Sequence, residues 1–195
     1  MKKYSLNGKW RMTGNGYDVE GNIPGSVYSF LYIDNKLLPD PYFRDNEHIY
    51  LEISEHEYKF EKSFEYSKGS DSPVFLVCEG LDTLCDIYLN GEKVASTQNM
   101  HIKYRFDVTD LLSDGENKIE LVFAPVNPYI KEKHKNDPWP AAFQPLAGFN
   151  QIRKAHCMHG WDWGPRLPDA GIWRKIYLLE KDSAEIINAS IVQRH

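Results

Sequence analysis

The chain has 195 residues, 42% of them apolar and 26% charged, with a formal net charge of −5, enough for one soluble domain with a sizeable core. The acidic balance excludes a nucleic-acid backbone or an anionic membrane as the main partner, and no run of about eighteen apolar residues exists to make a spanning helix. The N-terminus, MKKYSLNGKW, has no apolar segment behind its lysines and does not read as a secretory signal. Three cysteines, Cys78, Cys85 and Cys157, form an odd set that suits reduced thiols, so the expected location is cytoplasmic.

The first predicted element is helical. Pro24-Gly25-Ser26 precedes Val27, Phe30 and Leu31, which predicts one short helix capped by Ser26. Strict alternation then takes over. Tyr58, Phe60, Phe64 and Tyr66 fall on one face of a strand and Glu57, Lys59, Glu61 and Glu65 on the other, as in a half-buried antiparallel strand. The continuous run Pro73–Cys78 predicts a strand buried on both faces, and Cys78 and Cys85 read as small buried hydrophobes. Segments 85–89 and 92–96 flank Asn90-Gly91, a strong hairpin signal. Alternation returns at Ile102, Tyr104, Phe106 and Val108, and again at Ile119, Leu121 and Phe123, with a single turn predicted over 107–112. Segment 173–179 is a late strand. The pattern predicts an all-β sandwich or jelly roll.

Between Ala124 and Ile172 the rhythm stops, and seven prolines appear. Trp139, Phe143, Phe149, Trp161 and Trp163 are too apolar for a disordered stretch, so this is read as a long ordered excursion. Residues 184–195 alternate once more and are expected to begin a linker or first strand of a following domain, leaving 1–183 as the first domain.

The excursion holds the candidate site. Three of the five tryptophans, Trp161, Trp163 and Trp173, fall within thirteen residues, and two flank Asp162. An indole face suits the C–H face of a pyranose, and a carboxylate accepts hydrogen bonds from neighbouring hydroxyls. The opposing reading is a packed aromatic corner in which Asp162 bonds to backbone amides. Residue pattern leaves both open. His156, Cys157 and His159 suggest a metal, but in an extended segment they face different ways and no second ligand cluster exists, so no metal and no cofactor are expected. Lys131, Lys133 and Lys135 read as a solvated loop, and Arg153-Lys154 either braces Asp162 or forms a structural ion pair. No nucleophile elbow or phosphate loop is present. Glycoside hydrolysis needs two facing carboxyls, and only Asp162 can be nominated.

The segments IPGSVYSFLYIDNKLLPDPYFRDNE (23–47), EGLDTLCDIYLNG (79–91), NMHIKYRFDVTDLL (99–112), IRKAHCMHGWDWGPRLP (152–168) and AGIWRKIYL (170–178) resemble the N-terminal domain of β-mannosidases of glycoside hydrolase family 2. The resemblance implies a jelly-roll, galactose-binding-domain-like first domain, followed by an immunoglobulin-like domain and a catalytic barrel. It implies a retaining enzyme that removes terminal non-reducing β-D-mannose, with both catalytic glutamates in the barrel and none here. By the same resemblance Trp161 and Asp162 bind substrate while Trp163, Gly164 and Pro165 shape their loop. His159 departs from an aromatic residue common in the family at that position. The expected partners are a β-mannoside oligosaccharide and the protein's own downstream domains, with no nucleic acid and no membrane, and the 195-residue chain alone is expected to be inactive. The rival reading is a free-standing carbohydrate-binding module, and a third is a purely structural domain.

Overall fold

A computed structural model describes residues 2–69, 72–140, 145–161, 164–181 and 189–194. Twelve strands occur in chain order: β1 (Lys2–Ser5), β2 (Gly8–Gly14), β3 (Tyr17–Ile23), β4 (Gly25–Ser26), β5 (Tyr58–Tyr66), β6 (Val74–Cys78), β7 (Cys85–Leu89), β8 (Glu92–Thr97), β9 (Tyr104–Asp107), β10 (Gly115–Phe123), β11 (Gly171–Ile172) and β12 (Ile176–Glu180). They form a six-stranded sheet in the order β3-β2-β5-β10-β7-β8, a four-stranded sheet in the order β1-β12-β6-β9, and a small β11-β4 pair. All the pairings are antiparallel, with Leu121 opposite Phe60 on one side and Ile87 on the other. This is the all-β jelly-roll sandwich that the alternation predicts.

Period-2 patterning builds the core directly. Trp10, Met12, Phe60, Ile87, Ile119 and Leu121 of the larger sheet share one buried cluster with Leu76, Cys78, Ile176 and Leu178 of the smaller. Phe60 lies at its centre, meeting Phe30 and Phe123 edge to face at centroid distances of 5.1 and 5.4 Å. The outward face of the larger sheet is charged, and there the Lys59 and Lys118 ammoniums hold the Glu61 carboxyl down to about 2. The smaller sheet is apolar on its outer face too. Val77, Tyr177 and Leu179 are buried there with Phe75 beside them, under the Arg105 guanidinium at 3.9 Å from the Phe75 ring and Lys3 at 4.8 Å from Tyr177. That explains why β6 reads as one continuous apolar run.

Turn chemistry agrees with the backbone. Asn90 and Gly91 take φ of 53° and 86° between β7 and β8, the left-handed pair that a two-residue hairpin demands. Ser26 caps the early helical turn, its Oγ accepting the Ser29 amide at 3.2 Å, but that turn continues as a π-helix over Ser29–Asp34. The expectation of a single short helix undercounts. Two α-helices are present among the described residues, α1 (Glu47–Ile53) and α2 (Val126–Asn136). In α2, Pro125 stands at the cap and Pro128 in the first turn, where a missing N–H costs nothing, and Val126 and Ile130 are buried one turn apart. Lys131, Lys133 and Lys135 therefore lie on a helix rather than in a loop, with Lys131 paired to Glu55 at 3.3 Å and Lys133 over the Tyr129 ring at 4.9 Å. The late strand begins at Ile176, because Trp173 is held outside the sheet. Residues 189–194 carry no regular secondary structure, and the rest of the 184–195 segment lies outside the described residues.

Truncating Phe60 to Ala should cost about 3–5 kcal/mol, the range for a buried aromatic whose cavity cannot collapse. Urea unfolding of Phe60→Ala against the parent at pH 7 measures it, and a loss below about 1 kcal/mol would show that the two sheets do not close on this ring.

Candidate functional site

The excursion from the sandwich returns through a short 3₁₀ turn, His156–His159, and then Gly160. Gly160 has φ of +95°, and a Cβ there would lie 2.3 Å from Cγ of Arg166, so only glycine fits. Trp161 and Gly164 then exchange backbone hydrogen bonds of 3.2 and 3.4 Å. Asp162 and Trp163, which the sequence nominates as sugar contact and loop former, lie outside the described residues. Trp161 is 47% exposed. With Gly164 and Pro165 it faces Pro41, Tyr42 and Arg44 across a cleft of about 350 Å³.

The loop is clamped from outside. Glu47, the first residue of α1, accepts the Arg166 amide at 2.9 Å on Oε2 and the Arg166 guanidinium at 2.5 Å on Oε1. Hydrogen bonding from Arg166 lowers the Glu47 carboxyl below the usual carboxylate range. Glu47 is thus a brace for the returning segment, and sequence reasoning missed it because its partner Arg166 lies 119 residues away. The Leu167 amide also bonds to the Met158 carbonyl at 2.8 Å, and the Leu146 amide to the His159 carbonyl at 3.0 Å. Backbone hydrogen bonds therefore tie down both the entry and the exit of the Trp161 segment.

Beneath the loop, Lys154 is buried. Its Nζ lies 2.5 Å from Oδ2 of Asp82 and donates to the Asp169 carbonyl at 2.6 Å. The Thr83 hydroxyl donates to the other Asp82 oxygen. Of the two readings left open for Lys154, the structural ion pair is the one the structure contains; Arg153 beside it is exposed. Asp169 accepts the amides of Tyr28 at 3.1 Å and Ala170 at 2.8 Å, and burial lifts its carboxyl to about 6.

The two described tryptophans of the motif, Trp161 and Trp173, do not share one fate. Trp173 donates from its indole to the Met100 carbonyl at 3.3 Å and packs where a Cβ on Gly80 would sit 2.5 Å from its nitrogen. The Arg174 guanidinium stacks 4.1 Å from its ring. It is a structural residue, and only Trp161 among the described tryptophans of the motif presents its face to the cleft region. His156 and His159 belong to a 3₁₀ turn, not the extended segment expected, and both approach Phe149, at 4.9 and 6.2 Å between centroids. His159 is fully buried, so its ring is not exposed to a sugar. Among the described residues, no group of three or more His, Cys, Asp or Glu side chains is placed to hold a metal.

Burial, reinforced by the charge of Lys154, drives the His159 imidazole down to about 3. A group whose folded value is depressed from about 6.5 stabilises the fold above that value and loses this contribution as pH falls toward 3. Between pH 7 and pH 5 the loss should be about 2 kcal/mol. The test compares urea unfolding of wild type and His159→Leu at both pH values: the variant should gain by about that amount on acidification, and parallel pH curves would mean that His159 is not held neutral. Asp169 acts in the opposite sense, favouring the fold at low pH and losing that contribution as pH rises through about 6, which is why the comparison is made against a variant rather than in wild type alone.

A family profile described as glycosyl hydrolase 2 galactose-binding domain-like matches residues 9–174. The β-mannosidase of Mus musculus is 33% identical over 185 residues, covering 89% of this chain and 21% of that protein. A probable β-mannosidase of Caenorhabditis elegans is 31% identical over 86% of this chain and 20% of its own length. The crystal structure of a β-D-mannosidase from Dictyoglomus thermophilum superposes with a TM-score of 0.88 at 32% identity, over 96% of this chain and 23% of that one. An exo-chitosanase from Amycolatopsis orientalis, at 15% identity and a TM-score of 0.67, shares the fold alone. The chain spans about a fifth of the length of the curated relatives it matches. It belongs to the glycosyl hydrolase 2 galactose-binding domain-like family.

Proposed function

We propose that this chain is the N-terminal domain of a retaining β-mannosidase that removes terminal β-D-mannose from the non-reducing ends of oligosaccharides. The observation that carries this reading is the 32% identity to a β-D-mannosidase sustained over 96% of the chain. The domain's role is to present Trp161 and Asp162 to the sugar, with Trp163, Gly164 and Pro165 shaping the loop. A clamped loop with a half-exposed indole beside a cleft is the construction such a contact needs, since binding is weakened when the contact must first be ordered. The catalytic carboxyls reside in a downstream barrel, reached through an immunoglobulin-like domain that begins near residue 184. The strand pairing of β12 with β1 supports a first domain that closes at about this point. The unbridged cysteines suit a reducing compartment, and the cytoplasm is the proposed location.

Two measurements test the reading. The 195-residue chain should not hydrolyse an aryl β-mannoside, because one carboxylate cannot serve as both acid and nucleophile; turnover by the pure chain, abolished by substituting one of its own residues, would overturn this. In the full-length parent, Asp162→Asn should lower kcat/KM about ten- to a few hundred-fold, the loss expected for a charge-assisted hydrogen bond of about 1.5–3 kcal/mol. The pH profile should keep its shape, since the residue moves no proton. An unchanged kcat/KM would make Asp162 a structural acid and favour the packed-corner reading.

A further inference from the structure

Two depressions of about 500 Å³ each open where the end of β8 and the start of β9 meet α2 and residues 150–153. They share Lys133, Gln151, Ile152 and Arg153, so they form one groove. Each alone has the volume of a small-molecule site. Among the described residues, none that lines the groove also lines the Trp161 cleft. The lining is neither an apolar trough nor a patch of one charge. Tyr104, Tyr129 and Trp139 supply rings, and Gln98, Asn99 and Gln151 supply amides.

The rings are held in place. Trp139 is 52% exposed, and its indole nitrogen donates to Oδ2 of Asp137 at 2.8 Å. Gln151 donates to the Asp137 carbonyl at 2.5 Å and Asn150 to the Pro140 carbonyl at 3.1 Å. The segment that carries the indole is thus fastened to the floor of the groove before any ligand arrives, which lowers the entropy lost on binding. With its edge fixed by its own hydrogen bond, the indole offers its face, and such a face suits the C–H face of a pyranose. The opposite wall is fixed as well. The Met100 amide donates to the Arg153 carbonyl at 3.0 Å, and the Tyr104 hydroxyl donates to the Asn99 carbonyl at 3.0 Å. Lys133 lies 4.9 Å from the centre of the Tyr129 ring.

We infer that this groove is a second carbohydrate site, separate from the Trp161 cleft, that binds a neutral oligosaccharide along its length. Lys133 and Arg153 bring exposed N–H donors, Asp137 brings an acceptor and the amides bring both. A run of sugar hydroxyls, each of them donor and acceptor, satisfies that mixture. Asp137 beside the two cations disfavours a multiply charged ligand. An apolar peptide is the poorer occupant, since it would cover these polar groups without pairing them. Two joined depressions call for more than one sugar ring. The groove stands on its own lining; only the choice of a mannose chain as the first probe rests on the proposed function.

The experiment is isothermal titration of the full-length parent with thio-linked β-1,4-mannohexaose, which resists cleavage, while a saturating mannose-configured imidazole inhibitor fills the terminal-mannose site. Cellohexaose is run alongside, so that the groove is tested even if mannose is the wrong sugar. The expected result is one residual hexasaccharide site, about tenfold weaker in Trp139→Ala and about threefold weaker in Lys133→Ala, the losses for one stacked ring and one exposed hydrogen bond. Both positions are exposed, so neither truncation opens the core, and an unchanged melting temperature confirms folding. Both variants should keep the parent's kcat/KM for an aryl β-mannoside. No residual site for either sugar, or affinity unchanged in both variants, overturns the inference, as does tighter binding of the equivalent mannuronate oligomer. If the parent lacks β-mannosidase activity but a residual site is lost with Trp139, the proposed function falls and the groove stands; if activity is present and neither hexasaccharide finds a residual site, the groove falls and the proposed function stands.

Discussion

The buried pair of Lys154 and Asp82 is the constraint on which the functional end of this domain depends. Two opposite charges removed from water lose several kcal/mol of hydration each, and the loss is tolerable only where each finds its partner and its remaining hydrogen bonds. Here both do. Asp82 is held in turn by reciprocal backbone bonds with Gly171, 2.9 Å in each direction, and Lys154 also reaches the carbonyl of Asp169. The pair thus joins three separate stretches: the turn before β7, the middle of the excursion, and the return into β11. The excursion cannot shift without leaving a charge unpaired in the interior. That anchoring ties the described part of the excursion, which contributes no strand to the two main sheets, to the sandwich.

Consequences spread from that anchor. With Lys154 fixed, the residues after it are confined to a 3₁₀ turn packed against Phe149, and His159 is sealed beneath it as a neutral ring. Fully buried beside Phe149, the His159 imidazole serves as a packing group, and that burial makes the fold sensitive to acid.

The sequence is most legible where one physical rule acts alone. Alternation at Tyr58–Tyr66 and Ile119–Phe123 is dictated by burial on one side and water on the other, and the strands follow it. Asn90-Gly91 is legible because few residues accept two successive positive φ values. Legibility fails where two rules compete. Helix α2 is hidden because Pro128 and the lysine run read as loop, although a proline in the first turn removes no hydrogen bond and the lysines merely solvate the outer face. For Lys154 the sequence leaves a brace for Asp162 and a structural ion pair equally open, because its partner Asp82 lies 72 residues away. Asn117 is a milder case: within an alternating strand it occupies an inward position, where it bonds to Asn90, Ser113 and Gly115 instead of packing. The crowding of Trp161, Trp163 and Trp173 suggests one cluster, but local sequence cannot say that Gly80 opens a slot for Trp173. For Lys154 and Trp173 the missing information lies in contacts of long sequence separation.

The placement of the site between two non-sheet segments has a thermodynamic logic. Fixing a residue's backbone costs about 1–2 kcal/mol, so neither the 29–54 segment nor the 156–169 return could hold its shape cheaply alone. Each supplies what the other lacks. The first brings a carboxylate at the start of α1, and the second brings an amide and a guanidinium spaced to meet both of its oxygens. A bidentate, charge-assisted contact of this kind fixes direction as well as distance. Gly160 lets the chain pass close enough to Arg166 for the contact to form, and Trp161 follows immediately. The order at the exposed indole is therefore not a property of its own loop alone. It is imposed by the meeting of two distant segments, each of which is in turn fixed to the sandwich.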